Sequence, residues 1–484
     1  MMLGGGAGRV FVRLALTSIA VAAASCIPAS AEDRPPAVIE PPAPAAPLPR
    51  FALCHAAHPP VLPPRWHAVG LMMPFDGGQL AIGEFDFDAE ASAMRATIYG
   101  LQSGTADLLI TAEATYRLSG PRQSPTGCTA AEPRFQPPTT QWLAANAQCV
   151  GEAPLQARQT EWWRIAAANS AANWFWFTAD ARLPWRVFMS SPSPNPPLIG
   201  DYAMTYFPTF ERVSQSNLAA LREFCRAQSR PAASAKPADT EHDGTRQPSE
   251  AEEAAEAERR ERIKVLIPGL SQDACAATIP ARWPDRVQMT ALMTPTQFGL
   301  GPFPTEIFYD WERSNAMLTR LHDPDNPAMA VDVLLKGPLG YDIKPGRLAA
   351  PTCQQNYPGI VKPDWLSGAS CACRGVIANN PQLDPDDTID IESCGADPTH
   401  ALWAWYRKSG APVAFLATLQ TPGGLDLADY YSWSPGAESG TATFAVPLAC
   451  MAPNRVDRLP PPDRARLTRL FATRCAACHV FQQP

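Results

Sequence analysis

Short apolar runs, broken by proline and by single polar residues, dominate this chain. Leu80-Ala81-Ile82-Gly83-Glu84-Phe85-Asp86-Phe87, Asp107-Leu108-Leu109-Ile110-Thr111 and Trp185-Arg186-Val187-Phe188-Met189 read as strands. In Asn173-Trp174-Phe175-Trp176-Phe177 two tryptophans alternate, so they share one face of a strand. Helical spacing appears in three places. Residues 214–226 carry Leu218, Leu221 and Phe224 and read as a closing helix. Residues 249–267 form a charged helix with a Ser249/Glu252 capping box and i,i+4 pairs Glu256/Arg260 and Glu258/Arg262. Its first turns lack an apolar face, which predicts a solvated spacer docking only at Ile263, Leu266 and Ile267; a partner-binding helix is the alternative. Residues 463–473, apolar at Leu467, Leu470 and Phe471, form a third, short amphipathic helix.

The strand pattern occurs twice. Trp174-Phe175-Trp176-Phe177, Pro184, Asp201-Tyr202, Pro208 and Cys225 match Trp403-Ala404-Trp405-Tyr406, Pro412, Asp429-Tyr430, Pro435 and Cys450. Cys54 then Arg65-Trp66 matches Cys275 then Arg282-Trp283, and Glu84-x-x-Phe87-Asp88-x-Glu90 matches Glu306-x-x-Tyr309-Asp310-x-Glu312. Cys128 then Trp142-Leu143 matches Cys353 then Trp365-Leu366. Two copies are too few for a solenoid and describe a tandem duplication of one domain. The expected organisation is a signal peptide at 1–31, a Pro/Ala-rich linker at 32–50, and a first repeat domain at 51–227. A linker with the charged helix follows at 228–269, then a second repeat domain at 270–453 and a C-terminal helix with its motif at 454–484.

Composition narrows the class. With 484 residues, 46% of them hydrophobic, the chain can bury more than one core. A formal charge of −7 without a basic patch makes nucleic acid an unsuitable partner. Abundant Pro (53) and Trp (13) favour β-rich, loop-rich domains. Arg9 and Arg13, the apolar run 14–24 and Ala29-Ser30-Ala31 have the layout of an export signal, placing the mature start near Glu32. A lipoprotein reading at Cys26 would anchor the chain to a membrane; no later run reaches the ~20 apolar residues of a spanning helix. Export to the periplasm or beyond puts the cysteines in an oxidising compartment. Ten of them then read as structural staples. The expected pairs are Cys54–Cys225, Cys128–Cys149 and Cys275–Cys450, with Cys353 joined to Cys371 or Cys373 and the other left for Cys394; spacing alone leaves the connectivity open.

Phe87-Asp88 (or Tyr309-Asp310) ahead of Met and basic residues, the four spaced cysteines and the late Trp-x-Trp strand together resemble the ependymin family. Through it they resemble the LolA-like half-barrels. The resemblance spans 51–227 and 270–453 and implies curved antiparallel sheets holding an apolar ligand under a helical lid, with binding rather than catalysis as the activity. Trp174, Trp176, Trp403 and Trp405 then become candidate pocket walls, with plain core packing as the alternative.

One motif carries chemistry. Cys475-Ala476-Ala477-Cys478-His479 has the C-x-x-C-H form of covalent haem attachment: two thiols a turn apart reach two vinyl groups, and the adjacent imidazole lies under the iron. The run Leu-Phe-x-x-x-Cys-Ala-Ala-Cys-His resembles the haem-binding start of c-type cytochromes. That implies haem c on Cys475 and Cys478, with His479 as the metal ligand, and electron transfer or a redox partner as the role. Only Val480-Phe481-Gln482-Gln483-Pro484 follow, so neither a full cytochrome fold nor a sixth ligand is visible. A terminal disulfide or a zinc site are the alternatives.

Lesser groups carry less. Cys54-His55-Ala56-Ala57-His58 suggests metal, but the copy at Cys275 lacks both histidines, so exposed loop residues are expected. Asp384, Asp386, Asp387, Asp390 and Glu392 lack the glycine and register of a calcium loop. No G-x-S-x-G, H-E-x-x-H or phosphate loop is present, which leans away from an enzyme. The expected fold is α+β, mainly β: two duplicated antiparallel half-barrel-like domains, each closed by a helix. The expected function is a periplasmic haem protein in electron transfer. The alternative is a haem-free binding or scaffold protein for an apolar ligand.

Overall fold

The computed structural model describes residues 50–55, 58–101, 104–143, 146–156, 158–167, 171–191, 202–228, 250–277, 282–296, 301–323, 326–337, 339–344, 352–357, 362–364, 371–378, 389–394, 402–418, 425–437, 444–447 and 450. It is α+β and mainly β, with two large antiparallel sheets, neither a closed barrel. The first contains β1 (Arg65–Pro74), β2 (Ala81–Asp88), β3 (Ala93–Gly100), β4 (Thr105–Thr111), β5 (Thr115–Ser119) and β6 (Gly127–Ala130). It continues with β7 (Gln148–Leu155), β8 (Arg158–Ala166), β9 (Ala172–Thr178), β10 (Pro184–Phe188) and β11 (Tyr202–Arg212). Helices α1 (Leu218–Gln228) and α2 (Glu250–Leu266) follow.

The second sheet begins with the short β12 (Leu270–Ser271), then β13 (Arg286–Pro295), β14 (Phe303–Asp310), β15 (Ala316–Asp323), β16 (Asn326–Lys336), β17 (Leu339–Lys344) and β18 (Thr352–Tyr357). It ends with β19 (Cys371–Ile377), β20 (Ile389–Cys394), β21 (Leu402–Arg407), β22 (Pro412–Thr418) and β23 (Leu425–Pro435).

The pairing order of the first sheet is β6-β5-β4-β3-β2-β1-β11-β10-β9-β8-β7. This is an up-and-down ring: chain neighbours pair throughout and β1 lies beside β11, but the ladder stops between β6 and β7. The second sheet has the same order, with β13 beside β23, except that the short β12 is added at the edge of β19, so the ladder stops between β18 and β12. The residues bridging the first break include Pro133, Pro137 and Pro138, and a proline has no N–H to give a ladder.

Both faces of the first sheet are buried because successive side chains point to opposite sides. Trp66, Phe85, Phe87, Met94, Phe175 and Phe177 form an inner core. Trp174 and Trp176, which alternate with the two phenylalanines, face outward into a core shared with Trp403, Trp405, Leu416 and Leu427 of the second sheet. Trp283, Tyr309, Phe415 and their neighbours fill the inner side of the second sheet. Each large side chain so buried contributes roughly 1.5–3 kcal/mol.

The sheets also exchange polar contacts. Trp174 Nε1 donates to Pro295 O at 2.7 Å, and Trp403 Nε1 donates to Pro74 O at 2.9 Å. These bonds are reciprocal, since Pro74 ends β1 as Pro295 ends β13, and the two tryptophans occupy matching places on β9 and β21. Ala172 N donates to Thr296 O beside the first of them. Burial pushes the Tyr206 phenol up to about 12; it accepts from Arg186 Nη1 at 3.0 Å and stacks on Trp405, centroids 4.4 Å apart.

Register corrects two equivalences. Arg65 faces Asp88 as Arg286 faces Asp310, so Arg286, not Arg282, is the counterpart of Arg65. Leu71 faces Tyr206 as Leu292 faces Asp429, so Asp429 takes the place of Tyr206 rather than Asp201. Strands are matched by ladder position, and a shared Arg-Trp or Asp-Tyr pair a few residues away is no guide to it.

The disulfides also differ from expectation. The structure joins Cys54 to Cys149, Cys128 to Cys225, and Cys275 to Cys373. The expected Cys128–Cys149 bond would span the break, because β6 and β7 are opposite edges of the sheet. Cys225 instead sits where α1 packs on Tyr116, Leu118 and Cys128. Cys371 and Cys450 are also disulfide-bonded, and Cys371 lies opposite Cys394 in the β19–β20 ladder.

The charged helix does bury Ile263, Leu266 and Ile267. It docks with more than these: Arg259 is only 4% exposed and donates to Gly100 O, and Arg262 pairs with Glu84. Among the described residues no helix is long and apolar enough to cross a membrane.

Candidate functional site

The break in the first ring is the feature that its strand order leaves unfilled by backbone pairing. Residues 131–143, which follow β6, lay side chains on the inner core. Trp142 meets Phe175, Phe177 and Phe207 edge-on, with centroids 5.8, 6.2 and 6.2 Å away, while Phe135 and Leu143 are buried beside them. Phe135 N donates to Thr115 Oγ1 at 2.8 Å, which fixes the start of this cover against β5.

A second segment straps the cover. Ala52 exchanges two backbone bonds with Glu152 on β7, at 2.8 and 2.9 Å, and Phe51 meets Trp162 edge-on. Farther along, Arg182 Nη2 donates to His58 O at 2.8 Å, and Leu62 N donates to Thr140 O of the cover at 2.8 Å. The second ring repeats both ties. There β12 pairs with β19, and Trp283 N donates to Pro363 O at 2.9 Å. The two backbone ties of the strap thus recur in the second ring.

On the outer face, β2 carries alternating acids, which period two places on one side. Buried Glu84 accepts from Tyr99 Oη at 3.0 Å and pairs with Arg122 (3.2 Å) and with Arg262 of α2. Burial, together with the Glu84 charge, pushes the Tyr99 phenol well above its usual range. Arg95 Nε donates to Asp107 Oδ1 at 3.0 Å, and Thr97 Oγ1 donates to the same oxygen at 2.8 Å. In the second sheet Glu306 with His322 (3.2 Å) stands where Glu84 meets Tyr99, and Arg320 with Asp332 (2.9 Å) stands where Thr97 meets Asp107. This belt was missed in the sequence, although the alternation of Glu84, Asp86 and Asp88 in an otherwise apolar strand signals it.

A groove of about 460 Å³ opens beside the start of α1, walled by Trp66, His67, Asp86, Phe87, Glu211 and Asn217 among others. His67 Nδ1 and Asp86 Oδ1 are 2.8 Å apart. That bond raises the pKa of His67 against the cost of burial. Burial pushes Asp86 up, but the bond with His67 and the Arg122 charge carry it below the usual carboxylate value. The second ring has Gln288, Phe308 and Ser434 at these places, so the pair belongs to the first ring alone.

The four tryptophans expected as pocket walls are core. Trp174, Trp176, Trp403 and Trp405 are each 0% exposed and lie between the sheets, because the face they share is the one that packs on the other repeat. His55 is an exposed loop residue whose ring contacts Glu152, and His58 is exposed. Cys475, Cys478 and His479, the proposed haem anchors and ligand, lie outside the described residues, as do Asp384, Asp386 and Asp387. Among the described residues, no group of three His, Cys, Asp or Glu side chains stands ready to hold a metal ion.

No family model and no curated protein matches the chain. Among solved structures, a LolA-superfamily protein from Nitrosomonas europaea covers 35% of this chain and 99% of its own length, at 10% identity and a TM-score of 0.20. An uncharacterized conserved protein from Thermus thermophilus covers 34% and 88%, at 12% identity and 0.23. The MucA/MucB complex structure from Pseudomonas aeruginosa covers 77% and 94%, at 10% identity and 0.20. Similarity at this level assigns neither a family nor a ligand.

Proposed function

We propose that this chain is an exported binding protein whose opened rings accept an apolar, lipid-like molecule. The observation that carries this reading is the break at β6 and β7, closed by an irregular proline-bearing cover over an aromatic interior. A closed barrel of the same strands would bury that interior permanently. A cover held by a few hydrogen bonds and ring contacts can move aside at far lower cost than a strand, since no ladder is lost. The Cys54–Cys149, Cys128–Cys225 and Cys275–Cys373 disulfides suit an oxidising compartment outside the cytoplasm. The test is photo-crosslinking with a diazirine-bearing fatty acid, followed by peptide mapping. Saturable labelling of β4, β9 and the 131–143 segment is expected; labelling that does not saturate, or that falls on the outer face, overturns the reading.

A second reading rests on Cys475-Ala476-Ala477-Cys478-His479. In it the tail carries one haem c, with thioether bonds at Cys475 and Cys478 and His479 beneath the iron, and the paired rings act as the docking body of a redox protein. Co-expression with haem-maturation proteins and intact mass measurement decides it. A mass increase of one haem supports the reading, and the bare polypeptide mass removes it.

A further inference from the structure

We propose that the Cys54–Cys149 disulfide is a reducible tie that controls access to the first ring, with a dithiol as its reaction partner. The inference rests on the apolar-ligand reading above and names its regulation. Cys149 lies at the start of β7, directly after the cover, and Cys54 lies in the strap between Ala52 and Leu62. This bond therefore fastens the strap to the far edge of the break. Cys128, before the cover, is fastened to α1.

The two bonds differ in access. Cys54 and Cys149 are both partly exposed, whereas Cys128 is 7% and Cys225 0% exposed. Thiol–disulfide exchange needs in-line approach of a thiolate to sulfur, so reach decides which bond is cut. The second ring has its own partly exposed bond at the matching place, Cys275–Cys373. In the exchange, one thiolate of the dithiol attacks a sulfur of the pair and releases the other as thiolate. The second thiol of the reagent then displaces the mixed disulfide. Two electrons and two protons pass to Cys54 and Cys149, and the reagent leaves as its own disulfide. The strap keeps its Ala52–Glu152 and Leu62–Thr140 bonds but loses its covalent tie to β7, so the open state gains population.

The experiment uses the full mature chain and dithiothreitol. Brief reduction followed by alkylation and peptide mapping should label Cys54 and Cys149 while Cys128–Cys225 stays joined; simultaneous loss of both bonds overturns the proposal. Binding of a fluorescent fatty acid should tighten about tenfold on reduction, as expected when the competent fraction rises by that factor. The Cys54→Ser/Cys149→Ser double variant, checked for an unchanged β circular-dichroism signal, should bind at the first ring like the reduced protein before any dithiothreitol is added. Equal binding before and after reduction sinks the switch and leaves the ligand reading standing. No binding in either state and none in the double variant removes both.

Discussion

Arg186 and Asp429, 243 positions apart in sequence, meet through two parallel hydrogen bonds of 2.6 and 2.7 Å at the seam between the sheets. Neither side chain is more than 3% exposed. The guanidinium also lies over Trp176, 4.0 Å from the ring centroid. Burial works against the charge on Arg186, and Asp429 more than restores it, so the guanidinium stays ionised. The matching positions in the other repeat are Ala414 and Tyr206, so a duplicated core has acquired one cation on one half and one anion on the other.

Removing one partner leaves a buried charge alone. Arg186→Ala or Asp429→Ala is expected to cost about 3–5 kcal/mol, read as a lower urea midpoint. Replacing both at once with Arg186→Met and Asp429→Leu should recover most of that loss. A double variant as weak as the singles would show that the pair does more than neutralise itself.

The two reciprocal tryptophan bonds should behave alike. Trp174→Phe and Trp403→Phe each keep most of the ring and lose the bond to Pro295 O or Pro74 O, at an expected cost of about 1 kcal/mol apiece plus a small packing term. Chemical denaturation measures both; a much larger effect at one site would mean that the two halves are not equally dependent on the seam.

Stability should depend on pH through His67 and Asp86. The folded pKa of His67 lies above its ordinary 6.5, so its contribution is complete below that pH and fades as pH rises through the folded value. The folded pKa of Asp86 lies below 3.8, so its contribution is complete above that pH and is lost as pH falls through the folded value. This pair therefore helps most between about pH 4 and 6.5. Urea midpoints measured across pH 3–9 should show the upper slope, and His67→Gln should flatten it.

Non-reducing digestion should recover the peptides of Cys54–Cys149, Cys128–Cys225 and Cys275–Cys373. Removing the buried bond with Cys128→Ala/Cys225→Ala should cost about 2–5 kcal/mol. Recovery of Cys54–Cys225 instead would contradict the placement of α1.

Legible from the residues alone were the duplication, the strand-rich class, the two helices and the face shared by each Trp-x-Trp pair. The class, the helices and the shared faces follow from periodicity within short segments, and the duplication from one residue order that recurs along the chain. The sequence did not determine what that face meets. Trp174 and Trp176 look the same in sequence whether they line a pocket or a seam between sheets, and only the packing of one ring on another decided for the seam. The same holds for Cys128 and Cys149. They are close along the chain, yet the ring opens between their strands, and partners are set by proximity across a sheet rather than by spacing. Ladder register likewise assigned Asp429 its true counterpart and gave Arg186 its partner, because side-chain pairing depends on which strands lie together, and that is a property of the folded chain.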